Sequence, residues 1–212
     1  MKNIIVLTSL CAFLYGCSYA VPKTISPAAT INPSYKDKIQ GSVVLVMDES
    51  LKNIDRKIKP KSSACSGHKY VLKMESSLTD AIKEATDAIF SRVIEQNAFP
   101  TKEQLEEMNC QGSIYVKLST LFPTIWVSDG TALATCDLAL DVMIKDSKDN
   151  DLLVTIFRGA KFAEGGAGGY CGGGAEVLSN AVFLSVREAV EWYAERVSNS
   201  EKIRKAFASK GN

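Results

Sequence analysis

Ser113-Ile-Tyr-Val-Lys-Leu-Ser-Thr-Leu121 alternates along its length, with Ile114, Val116 and Leu118 on one face and Tyr115 and Lys117 on the other. A period of two marks a strand half buried on a sheet. Leu133 to Ile144 alternates again, setting Ala134, Cys136, Leu138, Leu140 and Val142 against Leu133, Thr135 and Asp137. Asp146 to Asp151 (DSKDND) has turn composition, and Leu152 to Phe162 (LLVTIFRGAKF) returns as the partner of a hairpin. Three successive strands predict an antiparallel meander. The connection Leu121-Phe-Pro-Thr-Ile-Trp-Val127 has two readings. Either the strand runs on past Pro123 with Trp126 in the core, or Phe122 and Trp126 form an aromatic patch for lipid headgroups or a protein partner.

Upstream of the meander, Leu78, Ile82, Ala85, Ile89 and Val93 recur at three- and four-residue spacing. They predict an amphipathic helix that Ser77 and Asp80 start and that Asn97 and Pro100 stop. Its other face carries Lys83, Glu84, Asp87 and Arg92. Downstream, Leu178, Val182, Ser185, Ala189 and Tyr193 mark a second long helix, and Ser200 caps a last turn ending near Phe207. Gly41 to Met47 (GSVVLVM) and Tyr70 to Met74 read as short strands, the second with Tyr70, Leu72 and Met74 on one face. Between them Asp48 to Gly67 is polar and basic and reads as a loop. The order β–β–α–β–β–β–α predicts an α+β, two-layer sandwich. Its sheet is mainly antiparallel, with two long amphipathic helices on one face, in a single domain over 41–212.

Lys plus Arg number 25 against 24 for Asp plus Glu, so no global field exists to hold nucleic acid. The single histidine, His68, follows Cys65-Ser-Gly, and a Cys–His couple there would need a free thiol. No GxSxG elbow offers it a serine. Gly165-Gly-Ala-Gly-Gly-Tyr-Cys-Gly-Gly-Gly174 fits neither GxGxxG nor GK[ST] and reads as a flexible, easily deformed loop pinned by Cys171. The alternative is a mobile loop that contacts a partner, with Tyr170 as its candidate residue. Asp137 and Asp141 share the solvated face of a strand. Asp146, Asp149 and Asp151 lack the DxDxDG calcium pattern. No catalytic constellation, metal site or cofactor site is expected, and the chain reads as a non-enzyme.

Lys2 followed by the apolar run Ile4 to Leu14 has the shape of a secretory signal. As a helix the run spans roughly 16 Å, too little for a bilayer core of about 30 Å. Leu14-Tyr15-Gly16-Cys17 resembles the bacterial lipobox. The resemblance implies cleavage after residue 16, a thioether-linked diacylglycerol on Cys17, and acylation of its new amine, palmitate being typical. Two or three chains make such an anchor effectively permanent. By resemblance to lipoprotein sorting in enteric-type bacteria, Ser18, which is not Asp, implies the outer membrane, with the domain facing the periplasm or the cell surface. An ordinary signal cleaved after Ala20 is the other reading. The lipobox leaves a mature chain with 24 basic and 24 acidic residues, since Lys2 departs. Residues 17–40, with Pro22, Pro27 and Pro33, read as a flexible tether.

Cys65, Cys110, Cys136 and Cys171 then remain, an even number in an oxidising compartment, and predict two disulfides. The preferred pairing is Cys65–Cys110 with Cys136–Cys171. The lipobox, proline-rich tether, first strand, amphipathic helix, meander and closing helix together resemble YajG-type bacterial lipoproteins. More distantly they are similar to the N-terminal domain of TolB, over roughly residues 41–197. That resemblance implies an outer-membrane lipoprotein that scaffolds or binds, with no catalytic residues. The expected function is assembly or scaffolding of a cell-envelope complex. The alternative is a binding module for glycan, peptidoglycan or lipid. The expected partners are the membrane, through the lipid, and an envelope protein or a second copy of the chain, with no nucleic acid.

Overall fold

A computed structural model describes residues 18–20 and 37–208. The expected signal peptide, the expected lipidation site Cys17 and the stretch 21–36 of the expected tether lie outside the described residues. Within them the chain forms β1 (Ser18–Ala20), β2 (Ile39–Met47), β3 (Asp55–Ile58), β4 (Lys69–Lys73), α1 (Ser77–Ile89), β5 (Phe90–Gln96), α2 (Lys102–Glu107), β6 (Gly112–Ser128), β7 (Thr131–Asp146), β8 (Asp151–Gly166), α3 (Gly173–Ser198) and α4 (Glu201–Ala208).

Val43, Val44, Leu45 and Val46 are all buried although they point to alternate faces, because β2 lies inside a five-stranded sheet covered on both sides there. That is why its sequence is a continuous apolar run and does not alternate. The sheet runs β5-β2-β6-β7-β8 and is mixed. β2 pairs in parallel with β5 and β6, while β6, β7 and β8 form the expected antiparallel meander. A second sheet, β1-β4-β3, buries Ile58, Tyr70, Leu72 and Met74 in the same core.

One face of the meander is covered by α3, whose Leu178, Val182, Ser185, Ala189 and Tyr193 are buried as their spacing predicts. The helix approaches closest at Gly159 of β8, where an added Cβ would lie 1.8 Å from the Ser185 carbonyl oxygen. The Ser185 hydroxyl donates to the Cys136 carbonyl at 2.8 Å and accepts from the Lys161 amide at 3.1 Å, tying helix to strands. Phe207 of α4 packs edge-on against Phe90 at 5.1 Å.

Five expectations are corrected. The first helix ends at Ile89, and Phe90 to Gln96 is a strand beside β2, so Val93 belongs to a sheet. Aromatic and β-branched residues (Phe90, Val93, Ile94) fit a pleated surface, and pairing with β2 overrides the helical spacing. The N-cap of α1 is Ser76, with no side-chain cap bond, in place of Ser77. Asp55–Ile58, expected in a loop, is a strand antiparallel to β4. Ser18–Ala20, expected to open the flexible tether, is a strand parallel to β4. β6 does run past Pro123, but Trp126 is half-buried on the face away from α3, not in the core. The proline is accommodated because β2 pairs only with the first part of β6, leaving the rest flanked by one long strand.

Candidate functional site

On the face of the sheet away from α3, the helix α2 and its flanking turns cover β2. Val44, Val46, Leu105 and Cys110 make a small cluster there, and the Phe99 ring stacks on Tyr115 at 5.3 Å. Beyond Tyr115 the outer face of β6, β7 and β8 is largely open to solvent among the described residues, although Thr124 and Ala139 are buried on it. Cross-strand register lines up Tyr115 with Met143 and Val154, and Lys117 with Asp141 and Ile156. Nearer the Asp129 turn it lines up Trp126 with Leu133, Phe122 with Asp137, and Thr135 with Phe162. Val154 is 65% exposed, Ile156 50%, Phe162 66% and Phe122 56%, so this face carries two apolar patches. The first is a shallow groove between Tyr115, Met143, Val154 and Ile156. The second surrounds Trp126, with Lys61 Nζ 5.0 Å from its ring centre and 5.5 Å from that of Phe122.

At the wall of the groove, the Tyr115 hydroxyl donates to Asp48 Oδ2 at 2.6 Å. That bond, with the Ser50 amide, lowers the Asp48 pKa to about 2, and the same bond raises Tyr115 to about 12. Neither group changes protonation near neutral pH, so this pair supplies structure and no acid–base chemistry. Asp141 accepts from the Ser119 hydroxyl at 2.7 Å, while Asp137 is exposed opposite Phe122. The free edge of β8 is covered in its middle, where the Ala160 amide donates to Glu188 Oε2 at 3.0 Å and Lys161 pairs with the same carboxylate. A helix laid over the edge in this way limits sheet-to-sheet pairing.

A third feature is the corner where the two sheets meet. Ser18, Tyr19 and Ala20 pair with Lys69, Tyr70 and Val71. The Tyr19 ring stacks on His68 at 5.2 Å, and its hydroxyl donates to the Tyr170 carbonyl at 2.6 Å. Cys65 is bonded to Cys171, with their Cα atoms 6.1 Å apart, and the Tyr70 hydroxyl donates to the Cys171 carbonyl at 2.8 Å. Cys65, Tyr170 and Cys171 all have positive φ, at 63°, 52° and 64°. The glycine-rich loop is thus pinned at its cysteine, and the Tyr170 side chain projects from it 90% exposed.

Cys65–Cys171 replaces both expected bridges. Cys110 and Cys136 are free and buried, Cys110 in the cluster under α2 and Cys136 beneath α3, each enclosed by its own helix. Burial pushes the Cys136 thiol up to about 12, so it is no nucleophile at neutral pH. His68 Nδ1 is buried with no hydrogen-bond partner among the described residues, and no hydroxyl or free thiol is bonded to it. Ligand atoms of Cys65, His68 and Cys171 lie within 4.8 Å of one another, but the two sulfurs are joined and are not thiolates. With its sulfurs joined, the cluster is a covalent corner that offers no thiolate to a metal.

The structure therefore brings Phe122 and Trp126 together on one face and sets Tyr170 on the pinned loop. Val154, Ile156 and Phe162 were not among the sequence-derived candidates. The signal for Val154 and Ile156 is in Leu152-Leu-Val-Thr-Ile-Phe157, which is apolar on both faces where a strand with one solvated face would alternate.

No family model and no curated protein matches the chain. Among solved structures it is similar to a Xanthomonas campestris protein of the DUF330 family, at 11% identity and TM-score 0.46, over 84% of this chain and 94% of that one. It is also similar to a hypothetical protein from Chlamydia trachomatis, at 9% identity and TM-score 0.39, over 73% of this chain and 98% of that one. A minor lipoprotein from Acinetobacter baumannii is similar at 10% identity and TM-score 0.35, over 80% of this chain and 96% of that one. Likenesses of that degree carry no assignment of function.

Proposed function

We propose that the chain is a non-enzymatic outer-membrane lipoprotein, anchored through Cys17, that works by contact as an assembly or scaffolding factor of a cell-envelope complex. A protein partner docks on the groove between Tyr115, Met143, Val154 and Ile156. The observation that carries this reading is the unequal treatment of one sheet face. Around β2 that face is sealed by α2, whereas on β8 Val154 and Ile156 are left in water. Contiguous apolar surface left uncovered marks an interaction site. The lipobox supports the anchored address. No helix of the described residues is long and apolar enough to cross a membrane, which says nothing of a strand-built span.

The test is a crosslinking pull-down from envelope membranes, comparing the parent with Ile156→Glu. A charge buried at the centre of a docking patch is expected to weaken association by about 2 kcal/mol or more, roughly thirtyfold. The melting temperature should stay close to that of the parent, because the position is exposed. Unchanged recovery of the same crosslinked proteins would remove the groove as the docking surface.

A further inference from the structure

We propose that the corner built from β1, the 59–69 segment and the end of β6 is a membrane-contact surface that rests on anionic phospholipid headgroups. The inference rests on the anchored reading of Cys17 and adds a second, lipid-facing surface to it. Three independent observations meet at this corner.

The first is the lack of slack. Ser18, bonded directly to Cys17, is already paired with Lys69, so the anchoring residue is one Cα–Cα step of about 3.8 Å from the folded domain. Acyl chains entering a bilayer from there bring Tyr19 and Lys69 to headgroup level. A long flexible leash would have left the domain free to choose its orientation.

The second is charge. In a chain with 25 basic and 24 acidic residues, the stretch from Arg56 to Met74 holds Arg56, Lys57, Lys59, Lys61, Lys69 and Lys73 and no acid. Register places Lys57 opposite Val71 and Ile58 opposite Tyr70, so Lys59 and Lys69 fall at the same end of the small sheet as Ser18. Lys57, Lys59, Lys61 and Lys69 are exposed. The exposed acids nearby, Asp129, Glu164 and the Asp137 that faces Phe122 across the strands, number three against these four lysines.

The third is the aromatic patch. The Lys61 amide donates to the Ile125 carbonyl at 2.8 Å, which fastens the basic segment along the end of β6. Its ammonium group then lies over the Trp126 and Phe122 rings. Tryptophan and lysine side by side are the pair that settles at a membrane–water interface, with the ring at headgroup depth and the ammonium on phosphate. An acidic protein would satisfy the charge alone, but at a corner tied to the bilayer it would have to share that space with the lipid surface.

The probe is the mature chain carrying Cys17→Ser, which has no lipid, titrated into phosphatidylethanolamine vesicles with and without phosphatidylglycerol. Trp192→Phe leaves Trp126 as the one tryptophan. Flotation with the phosphatidylglycerol vesicles and quenching of Trp126 by brominated lipid are expected. The variant Lys59→Gln/Lys61→Gln/Lys69→Gln should bind roughly a hundredfold more weakly, about fivefold for each lysine near an anionic surface, with its melting temperature unchanged. No flotation with anionic vesicles, equal binding by the triple variant, or equal binding to polyglutamate without quenching would each overturn the inference. Lipid labelling of the parent at Cys17 is scored separately. Its failure would sink the anchor and leave the vesicle result standing on its own.

Discussion

Cys136 and Cys65 show how differently one residue type is used. Cys136 faces α3 on a strand where the Ser185 hydroxyl holds its carbonyl, and its thiol is sealed from water. Cys65 stands on a turn with positive φ, half-buried, its Cα 6.1 Å from that of Cys171, within the span a disulfide bridges. An even cysteine count in an oxidising compartment suggests that every thiol is paired, but bridging is decided by Cα distance, and helix packing separates Cys110 from Cys136. Alkylation mapping should show this. Without reductant the native protein at mildly alkaline pH is expected to react slowly at both free thiols, slowest at Cys136, whose pKa is raised to about 12 by burial. Denaturant alone should open Cys110 and Cys136, and Cys65 and Cys171 only after reduction. Labelling of Cys65 before reduction would disprove the bridge.

The contact of α3 with β8 sets the thickness of the sandwich at the scale of elements. Gly159 lets the helix backbone descend until its own Cβ position is 1.8 Å from the Ser185 carbonyl oxygen, a backbone atom with no rotamer to yield. Gly159→Ala must therefore push helix and strand apart and strain the Ser185 bonds to Cys136 and Lys161. A loss of about 3 kcal/mol or more is expected, read as a lower urea midpoint at unchanged slope. Gly166→Ala, where a Cβ meets nothing within 4 Å, should stay within roughly 0.5 kcal/mol of the parent. Equal stability of the two variants would show that α3 does not sit on β8 as described. The periodicity of α3 was readable from Leu178 to Tyr193 because the helix lies along one face of the sheet throughout. That of α1 misled beyond Ile89, since Val93 keeps the helical spacing while its backbone pairs with Val43.

Across the whole molecule, the Cys65–Cys171 bridge fastens the small sheet to the start of α3 over a sequence separation of 106. Closing a loop of that size constrains the unfolded chain, and Cys65→Ser/Cys171→Ser is expected to lose about 4–5 kcal/mol in the chain-entropy model. A urea series should also show Tyr170 and the glycine loop becoming protease-sensitive before the meander does. Full retention of stability would mean that the corner is held by Tyr19 and Tyr70 without the bridge. The sequence by itself determined the meander, the two long amphipathic helices and the α+β class, because each is written in local periodicity that burial on one face imposes. It also singled out Phe122, Trp126 and Tyr170 as candidates for partner contact, since large aromatic side chains stand out at once, and the structure leaves Phe122 and Tyr170 exposed and Trp126 half-buried. Only the tertiary structure decided that β2 is shared between two parallel neighbours, that Ser18 begins a strand, that Cys65 meets Cys171, and that Val154 and Ile156 face water. Each of these depends on which distant segments become neighbours, and pairing across a hundred residues leaves no trace in local spacing.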